Sequence, residues 1–406
     1  MENLIKNSRN LIKSIKLKNK RYLYEKIDFS EKMIGIIGQR GVGKTTIMLQ
    51  FLKEKDKKSE SIYFSADDIY FLENSLKKTV EVLYYDYGIK VFCIDEIHKY
   101  RNWNQELKNI YDLLPDIQII FSGSSSLDIS SGLYDLSRRV VVYNLNGLSF
   151  REFVQFKTDK KFKVISADNL FQKYKSHSLK ISSEVDVLKL FKDYLELGYY
   201  PYFLEGKKQT YYLKMENALN KTIYEDIANL NNIKSEHLYL FKRILNFLSS
   251  ISPGEINTNR LSSNLGIAFE TTESYLDIMH KISLIRYLLK DKRGYKLIRK
   301  AEKIFLDNTN VMMLINEKLG LEKNIGSLRE LFVLNQLQNS EQKVFSAEKK
   351  GDFIVKVKQE KITLEIGGKS KKFSQISKIK NSFLIIDNIE IAEQNKIPLY
   401  LLGFLY

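Results

Sequence analysis

Cysteine and histidine are scarce in this sequence. Among 406 residues there is one cysteine, Cys93, so no disulfide can form within the chain and nothing indicates an oxidising compartment. We therefore predict a cytoplasmic protein. The four histidines have no metal-ligand spacing with one another or with Cys93, which argues against a zinc site.

Long apolar runs are absent as well. Hydrophobic residues make up 44% of the chain, which is normal for a globular protein, but no stretch approaches the roughly 20 apolar residues that a membrane span requires. Charges interrupt residues 1–24, so we expect no signal peptide. These absences argue against a membrane-spanning protein, and the length of 406 residues is enough for two or three domains.

Acidic residues are too few to balance the basic ones. There are 65 Lys and Arg residues against 49 Asp and Glu residues, which gives a net charge of +16. This excess favours a polyanionic partner, and we predict DNA. The alternative is a lysine-rich surface with no specific partner.

The segment MIGIIGQRGVGKTT, residues 33–46, organises the rest of the chain. It has the G-x-x-x-x-G-K-[ST] pattern of a phosphate-binding P-loop, whose backbone N–H groups surround phosphate oxygens at the start of a helix. Lys44 is expected to reach the β- and γ-phosphates of ATP and to act in catalysis, and the Thr45 hydroxyl to ligate Mg²⁺. The residues predicted to bind ATP are Gly38, Gln39, Arg40, Gly41, Val42, Gly43, Lys44, Thr45 and Thr46.

A second motif, VFCIDEIHK, follows at residues 91–99. An apolar strand that ends in Asp-Glu is typical of the second half of a nucleotide site. We predict that Asp95 holds Mg²⁺, directly or through water, and that Glu96 orients and deprotonates the attacking water. This strand is expected to lie beside the P-loop strand, which would place Glu96 near the γ-phosphate. His98 is interpreted as a packing or hydrogen-bonding residue.

Serine and arginine residues complete the predicted ATP site. Ser122 or Ser124, at the end of a predicted strand over 117–123, is positioned to sense the γ-phosphate, and Ser122 is included among the ATP-binding residues. Arg138 and Arg139 precede a further strand. We predict that Arg139 is catalytic and stabilises transition-state charge, within one chain or across an oligomer. The alternative is a structural or surface arginine pair.

Four segments together resemble AAA+-type prokaryotic ATPases that carry a C-terminal domain of uncharacterised function. They are GQRGVGKTT, VFCIDEIHKYRNW, FSGSSS and SRRVVVYNLNGLSFREF. Arg138 stands where the family pattern has a glycine, and Gly147 where it has a proline. The resemblance implies ATP binding and hydrolysis, and relatives of this class often form homo-oligomeric rings.

Residues 256–300 fit a winged helix. Two predicted helices are followed by a hairpin whose turn contains Gly294. The second helix is acidic, so DNA contact is expected mainly through the wing. The alternative is a protein–protein or interdomain module. The basic residues of the predicted wing are Lys290, Lys292, Arg293, Lys296, Arg299 and Lys300.

In the C-terminal residues a predicted helix carries Glu330, Asp352 opens one strand and Glu365 ends another. This arrangement resembles the restriction-endonuclease-like fold, and the resemblance implies a second metal site at these three residues. Gly367 stands where a lysine is expected, and Lys369 is the predicted substitute. A basic helix is predicted over 370–380. The alternatives are an active nuclease, a degenerate nuclease fold that serves as a binding platform, and an unrelated αβ domain.

The predicted fold class is α/β: a doubly wound P-loop NTPase domain, a helical and winged-helix middle, and a C-terminal αβ nuclease-like domain. The five predicted segments are a basic helical lead-in over 1–30, the P-loop ATPase domain over 31–150, a helical lid or linker over 151–245, the winged-helix-like module over 246–315 and the nuclease-like domain over 316–406.

The predicted function is an Mg²⁺-dependent ATPase that acts with DNA and forms a homo-oligomer. Two alternatives are an ATP-switched regulatory binding protein with little turnover and an ATP-controlled, metal-dependent DNA nuclease. ATP and Mg²⁺ are the predicted cofactors, and no membrane partner is expected.

Overall fold

The protein divides into two compact units. The computed structural model describes residues 1–55, 60–124, 135–228, 233–253, 258–291, 303–347 and 350–406. Unit 1 consists of Met1–Gly147 together with Glu225–Asn232, and unit 2 of Leu148–Tyr224 together with Ile233–Tyr406. Among the described helices, none has the length and apolar character needed to cross a lipid bilayer.

Unit 1 is built on a parallel sheet, as predicted. In its described residues the strands are β1 (Met33–Ile37), β2 (Ser61–Ser65), β3 (Val91–Asp95), β4 (Gln118–Gly123) and β5 (Val141–Asn144). The helices are α1 (Glu2–Ser14), α2 (Lys44–Lys55), α3 (Leu76–Tyr87) and α4 (Trp103–Leu113). The apolar strands β1, β3 and β4 are central and almost wholly buried, which is typical of a parallel sheet covered on both faces.

The order of the strands corrects one expectation. The sheet runs β2-β3-β4-β1-β5, so β4 lies between the P-loop strand β1 and the acidic strand β3. The sequence places β2 and β3 directly after β1, but the spatial order depends on crossovers that local patterns do not specify. All these strands are parallel, so their carboxyl ends still share one edge of the sheet.

Helices cover the sheet with their apolar faces. On α4 the buried residues Trp103, Leu107 and Ile110 recur at helical spacing, and the Trp103 ring lies 5.6 Å from that of Phe121 on β4. The basic N-terminal helix α1 packs against β2 and α2.

Unit 2 contains a mixed sheet. In the described residues its strands are β6 (Ile285–Lys290), β7 (Lys303–Leu306), β8 (Lys343–Ser346), β9 (Phe353–Val357), β10 (Glu360–Gly367), β11 (Ser382–Ile386) and β12 (Lys396–Pro398). Their order is β12-β11-β10-β9-β8-β6-β7. The helices are α5 (Phe150–Thr158), α6 (Ala167–Glu184), α7 (Val187–Leu197), α8 (Lys208–Lys221), α9 (Leu238–Ser250), α10 (Thr258–Leu265), α11 (Phe269–Lys281), α12 (Thr309–Leu319) and α13 (Ile325–Asn339).

A capping box opens helix α5, in the GLSFREF stretch. The Ser149 side chain accepts from the backbone N–H of Glu152, and the Glu152 carboxylate accepts from the backbone N–H of Ser149. The next residue, Phe150, is fully buried, with its ring 5.5 Å from Tyr194 and 5.6 Å from Phe404. This stretch therefore starts a helix and supplies its main core anchor.

Two helices and a strand pair occupy the predicted winged-helix region. Helices α10 and α11 precede β6 and β7, which pair antiparallel. Strand β6 also pairs in parallel with β8, so this strand pair belongs to the same sheet as the C-terminal strands. Of the predicted wing cations, Lys290 ends β6 and the others lie outside the described residues.

The predicted basic helix over 370–380 is wrong. This segment joins the parallel strands β10 and β11 and contains only a short 3₁₀ turn, Phe373–Gln375. Its buried residue Ile376 packs with Leu384, and the Ser382 hydroxyl donates to the backbone oxygen of Ile376. These contacts replace the helical hydrogen bonds that the lysine-rich composition suggested.

Candidate nucleotide-binding site

The loop between β1 and α2 has backbone conformations that favour glycine. Gly41 and Gly43 have φ angles of 81° and 103°, in the left-handed region. At Gly38 a Cβ atom would lie 2.3 Å from the backbone oxygen of Leu145, which is too close for any side chain. Gly41 and Gly43 thus permit the tight turn of the loop, and Gly38 permits its close approach to the Leu145 backbone, so the loop fits a nucleotide.

Lys44 is buried at the end of this loop. Its Nζ atom donates to the backbone oxygens of Gly38, at 2.9 Å, and of Gln39, at 3.0 Å. Burial lowers the pKa of Lys44, and the negative charges of Glu96 and Asp95 oppose that shift. The ammonium group is therefore held inside the loop.

Asp95 connects three elements of the site. Its Oδ2 atom accepts hydrogen bonds from Thr45 Oγ1 at 2.5 Å and from the Tyr63 hydroxyl at 2.8 Å. Its Oδ1 atom accepts from the Ser122 hydroxyl. The predicted metal ligands Thr45 and Asp95 are thus in direct contact, although β4 lies between β3, which carries Asp95, and β1, which precedes the Thr45 helix. Hydroxyl and carboxylate oxygens are the ligands that Mg²⁺ prefers, so this donor set fits the ion.

Tyr63 is a site residue that the sequence did not reveal. Its hydroxyl is buried, and burial together with the Asp95 charge raises the pKa of Tyr63 well above its usual value. The phenol therefore stays protonated and donates to Asp95. Only its place in the second strand could have suggested this role.

Glu96 has an unusual backbone conformation, and one of its carboxylate oxygens accepts no hydrogen bond from the described residues. Its φ angle of 50° is left-handed, a strained conformation for a non-glycine residue. Its backbone N–H donates to Ser122 Oγ at 3.2 Å. Among the described residues, its buried Oε2 atom accepts no hydrogen bond, although Arg40 Nη1 lies 3.4 Å and His98 Nε2 3.5 Å away. A buried acceptor without a donor is consistent with a functional role.

His98 is buried among the site residues, within hydrogen-bond distance of Ser124. Its side chain is 4% exposed, with Nε2 3.2 Å from Ser124 Oγ and 3.7 Å from Asp226 Oδ1. Both predicted γ-phosphate sensors, Ser122 and Ser124, therefore contact residues of the acidic motif.

Asp226 is the second site residue that the sequence missed. Arg40 Nε lies 3.0 Å from Asp226 Oδ2, and Arg40 Nη2 lies 2.8 Å from Oδ1. Burial alone would raise the pKa of Asp226, but the nearby His98 ring and the two hydrogen bonds from Arg40 lower it well below its usual value. The separation of 186 residues between the partners explains why no local motif revealed the contact.

Arg138 and Arg139 lie apart from these residues. Arg139 forms a two-point ion pair with Asp112 on α4, at 2.9 Å for each hydrogen bond, and Arg138 is exposed. The described contacts of Arg139 do not bring it to the P-loop of its own chain. Its catalytic role remains a prediction.

The C-terminal carboxylates lie close enough to influence one another. Burial raises the pKa of Asp352 to about 6, and the negative charges of Glu330 and Glu365 contribute to this shift. Glu330 pairs with Lys303 at 2.9 Å, and Asp352 accepts from a backbone N–H of β10. Within the described ranges, no group of three or more His, Cys, Asp or Glu residues is arranged to hold a metal ion.

Lys371, rather than the predicted Lys369, contacts Glu365. A Cβ atom at Gly367 would lie 2.7 Å from the Lys371 stem, so the glycine leaves room for that side chain. Lys371, in the loop after β10, thus lies beside Glu365 in place of the lysine expected at position 367.

Comparisons with known proteins agree with the geometry of unit 1. Residues 30–154 match the family described as AAA domain. This match supports a nucleotide-binding P-loop ATPase. It confirms the AAA resemblance for that part of the chain, and residues 188–323 match a family described as a domain of unknown function, DUF8612.

Two individual proteins are also similar. The uncharacterized protein MJ1637 of Methanocaldococcus jannaschii is 27% identical over 406 residues, which cover 92% of this chain and 85% of that protein. The solved structure of C. elegans PCH-2 is 16% identical and covers 68% of each chain, with a TM-score of 0.24 that is too low to support an argument from it.

Proposed function

We propose that the protein is an Mg²⁺-dependent ATPase. The observation that carries this proposal is the direct contact of Thr45 with Asp95, beside a strained Glu96 whose buried oxygen accepts no hydrogen bond among the described residues. A metal ligand pair and a candidate base then lie at the same end of the sheet as the glycine loop.

Lys44 and the loop N–H groups would bind the β- and γ-phosphates. Thr45 and Asp95 would hold Mg²⁺, which supplies positive charge that neutralises the phosphate oxygens. Ser122 orients both acidic residues, because it donates to Asp95 and accepts from the Glu96 backbone. Tyr63 fixes the second oxygen of Asp95.

Glu96 would act as the general base. Its carboxylate would accept a proton from the attacking water, and the Arg40 guanidinium lies 3.4 Å from it. Replacement by glutamine keeps the size of the side chain but removes the base.

Nucleotide binding and turnover test this assignment separately. Lys44→Ala is expected to abolish ATP binding, and Glu96→Gln to retain binding but hydrolyse slowly. Glu73→Gln, at an exposed position of unit 1, is the control and should behave as wild type. High-affinity binding with negligible turnover by the wild type would instead favour the ATP-switched regulatory protein. Normal turnover in both active-site variants would overturn the proposal.

We further propose that the protein lies in the cytoplasm and binds DNA there. The support is the net charge of +16. ATP turnover measured with and without duplex or single-stranded DNA, at two salt concentrations, tests this. Stimulation that weakens with salt supports DNA as a partner, and turnover indifferent to both DNA forms contradicts it.

A metal-dependent nuclease in unit 2 is a second candidate function. The contact of Lys371 with Glu365 favours it. This contact places a lysine beside the carboxylate, although Gly367 stands where the sequence pattern of such a nuclease has its lysine. A gel run on the same reactions, with Mg²⁺ or Mn²⁺, would reveal strand cleavage. Cleavage that Glu365→Ala abolishes supports this function, and intact DNA with either metal contradicts it for those substrates.

A further inference from the structure

The segment that contains Glu225 and Asp226 enters unit 1 from a distant part of the sequence. The chain on both sides of residues 225–232 belongs to unit 2, whereas the segment itself belongs to unit 1. It begins within a π-helical turn, Thr222–Ile227, that continues α8. The Asp226 side chain is 2% exposed and Ile227 is fully buried. The ion pairs of Asp226 and Glu225 and the buried side chain of Ile227 therefore hold the segment.

The cations that surround this segment come from the nucleotide site. Arg40 belongs to the P-loop and makes two hydrogen bonds to Asp226. Lys99 follows the acidic motif, and its Nζ lies 3.0 Å from Glu225 and 3.7 Å from Asp226. His98 Nε2 lies 3.7 Å from Asp226. The two carboxylates thus occupy a cationic environment next to the phosphate-binding loop.

A phosphate group would compete with Asp226 for Arg40. A guanidinium binds carboxylate and phosphate in the same two-point geometry, and both partners are anionic. Arg40 Nη1 also lies 3.4 Å from Glu96, the proposed base for attack on the γ-phosphate. The guanidinium is therefore at the end of the site where the γ-phosphate would react.

We propose that Arg40 and Asp226 form a latch that a nucleoside triphosphate opens. When the triphosphate binds, the Arg40 guanidinium exchanges the Asp226 carboxylate for γ-phosphate oxygens, and residues 225–228 detach from unit 1. The proposal rests on the nucleotide binding proposed above and adds a structural change that this binding produces, the detachment of residues 225–228. A diphosphate lacks the competing group and leaves the latch closed.

Hydrogen exchange of the full-length wild type tests the latch directly. The probes are Mg²⁺ with a non-hydrolysable ATP analogue, and Mg²⁺ with ADP. Both nucleotides should slow exchange in peptides over residues 38–46. The ATP analogue alone should speed exchange in peptides over residues 222–228, by about tenfold. Protection at 38–46 without faster exchange at 222–228 would overturn the latch and leave the proposed function intact. If neither nucleotide protects 38–46, the proposed nucleotide binding itself fails.

Asp226→Asn provides the second test. This variant should exchange rapidly at 222–228 without nucleotide and bind the ATP analogue about tenfold more tightly, because no carboxylate competes for Arg40. The matched control is Glu225→Gln, whose carboxylate is 44% exposed and lies 3.9 Å from Arg40. It should stay within about twofold of wild type in affinity. Wild-type affinity in Asp226→Asn would contradict the competition. Should that variant misfold, the wild-type exchange experiment still decides.

Discussion

Arg40 and Asp226 are 186 residues apart in the sequence and form a two-point ion pair inside unit 1. One partner belongs to the phosphate-binding loop, and the other to a segment whose chain neighbours belong to unit 2. The carboxylate is almost fully buried, so the pair has consequences for stability as well as for nucleotide binding.

Asp226→Asn is expected to lower the free energy of unfolding of unit 1 by about 2–4 kcal/mol, because it leaves a largely buried guanidinium with a weaker partner. Trp103 is the single tryptophan of the chain and lies in unit 1, so its fluorescence during urea unfolding reports on this unit. Asp112→Asn breaks a similar two-point pair at an exposed position and is the control. If Asp226→Asn lowers the free energy of unfolding no more than Asp112→Asn does, the buried ion pair of Asp226 does not stabilise unit 1 as expected.

The same pair predicts a pH dependence. The pKa of Asp226 is lowered in the folded protein, so its stabilising contribution is present above the ordinary aspartate pKa of about 4 and is lost as pH falls through the lowered value. The difference in unfolding free energy between wild type and Asp226→Asn should therefore shrink as pH falls below 4. A difference that grows below pH 4 would contradict this sign.

Gly38→Ala should abolish nucleotide binding, because the new Cβ atom would lie 2.3 Å from a backbone oxygen that cannot move without shifting β5. Gly206→Ala is the matched control, since its Cβ atom would meet only Thr210 at 3.5 Å. Equilibrium binding of a fluorescent ATP analogue distinguishes the two. Binding retained by Gly38→Ala would show that this close approach is not needed for the site.

Arg139 provides a test of oligomeric catalysis. Its pair with Asp112 keeps it from the P-loop contacts described for its own chain, so the predicted catalytic role requires a second copy. Arg139→Ala and Lys44→Ala should each be inactive alone. Their mixture should recover part of the turnover, because one protomer supplies the arginine and the other the intact loop. No recovery in a verified mixed oligomer would remove Arg139 from the mechanism.

Asp352→Asn should stabilise the protein at neutral pH. Burial raises the pKa of Asp352 to about 6, so the folded state binds this proton more tightly than the unfolded state, and stability is lost as pH rises through 6. Asparagine cannot ionise, and a gain of about 1–3 kcal/mol is expected above pH 7 but not below pH 4. Urea unfolding followed by circular dichroism measures this, with the exposed Asp193→Asn as control. A stabilisation of equal size below pH 4 and above pH 7 would show that the raised pKa of Asp352 is not its cause.

Local patterns predicted much of unit 1. The strand over 61–65 and the start of α2 at the P-loop lysine follow from apolar runs and glycine spacing. The contact between Thr45 and Asp95 also follows, because parallel strands end at one edge of the sheet. The position of β4 between β1 and β3 did not follow, since crossovers determine it.

Local sequence patterns do not predict contacts between residues that are far apart in the sequence. Asp226 lies in no recognisable motif, and only tertiary structure brings it to Arg40. Lys371 replaces a lysine expected next to Glu365 because the loop after β10 folds back over Gly367. The predicted helix over 370–380 failed for the same reason, because tertiary contacts of Ile376 determine that loop.

The proposed ATPase site depends on Glu96 as its base. This role is tested by the steady-state ATP turnover and ATP affinity of Glu96→Gln, measured on the same preparation as the wild type. We expect affinity within about threefold of wild type and turnover reduced by about 10²–10⁴-fold. Turnover equal to that of the wild type would contradict it.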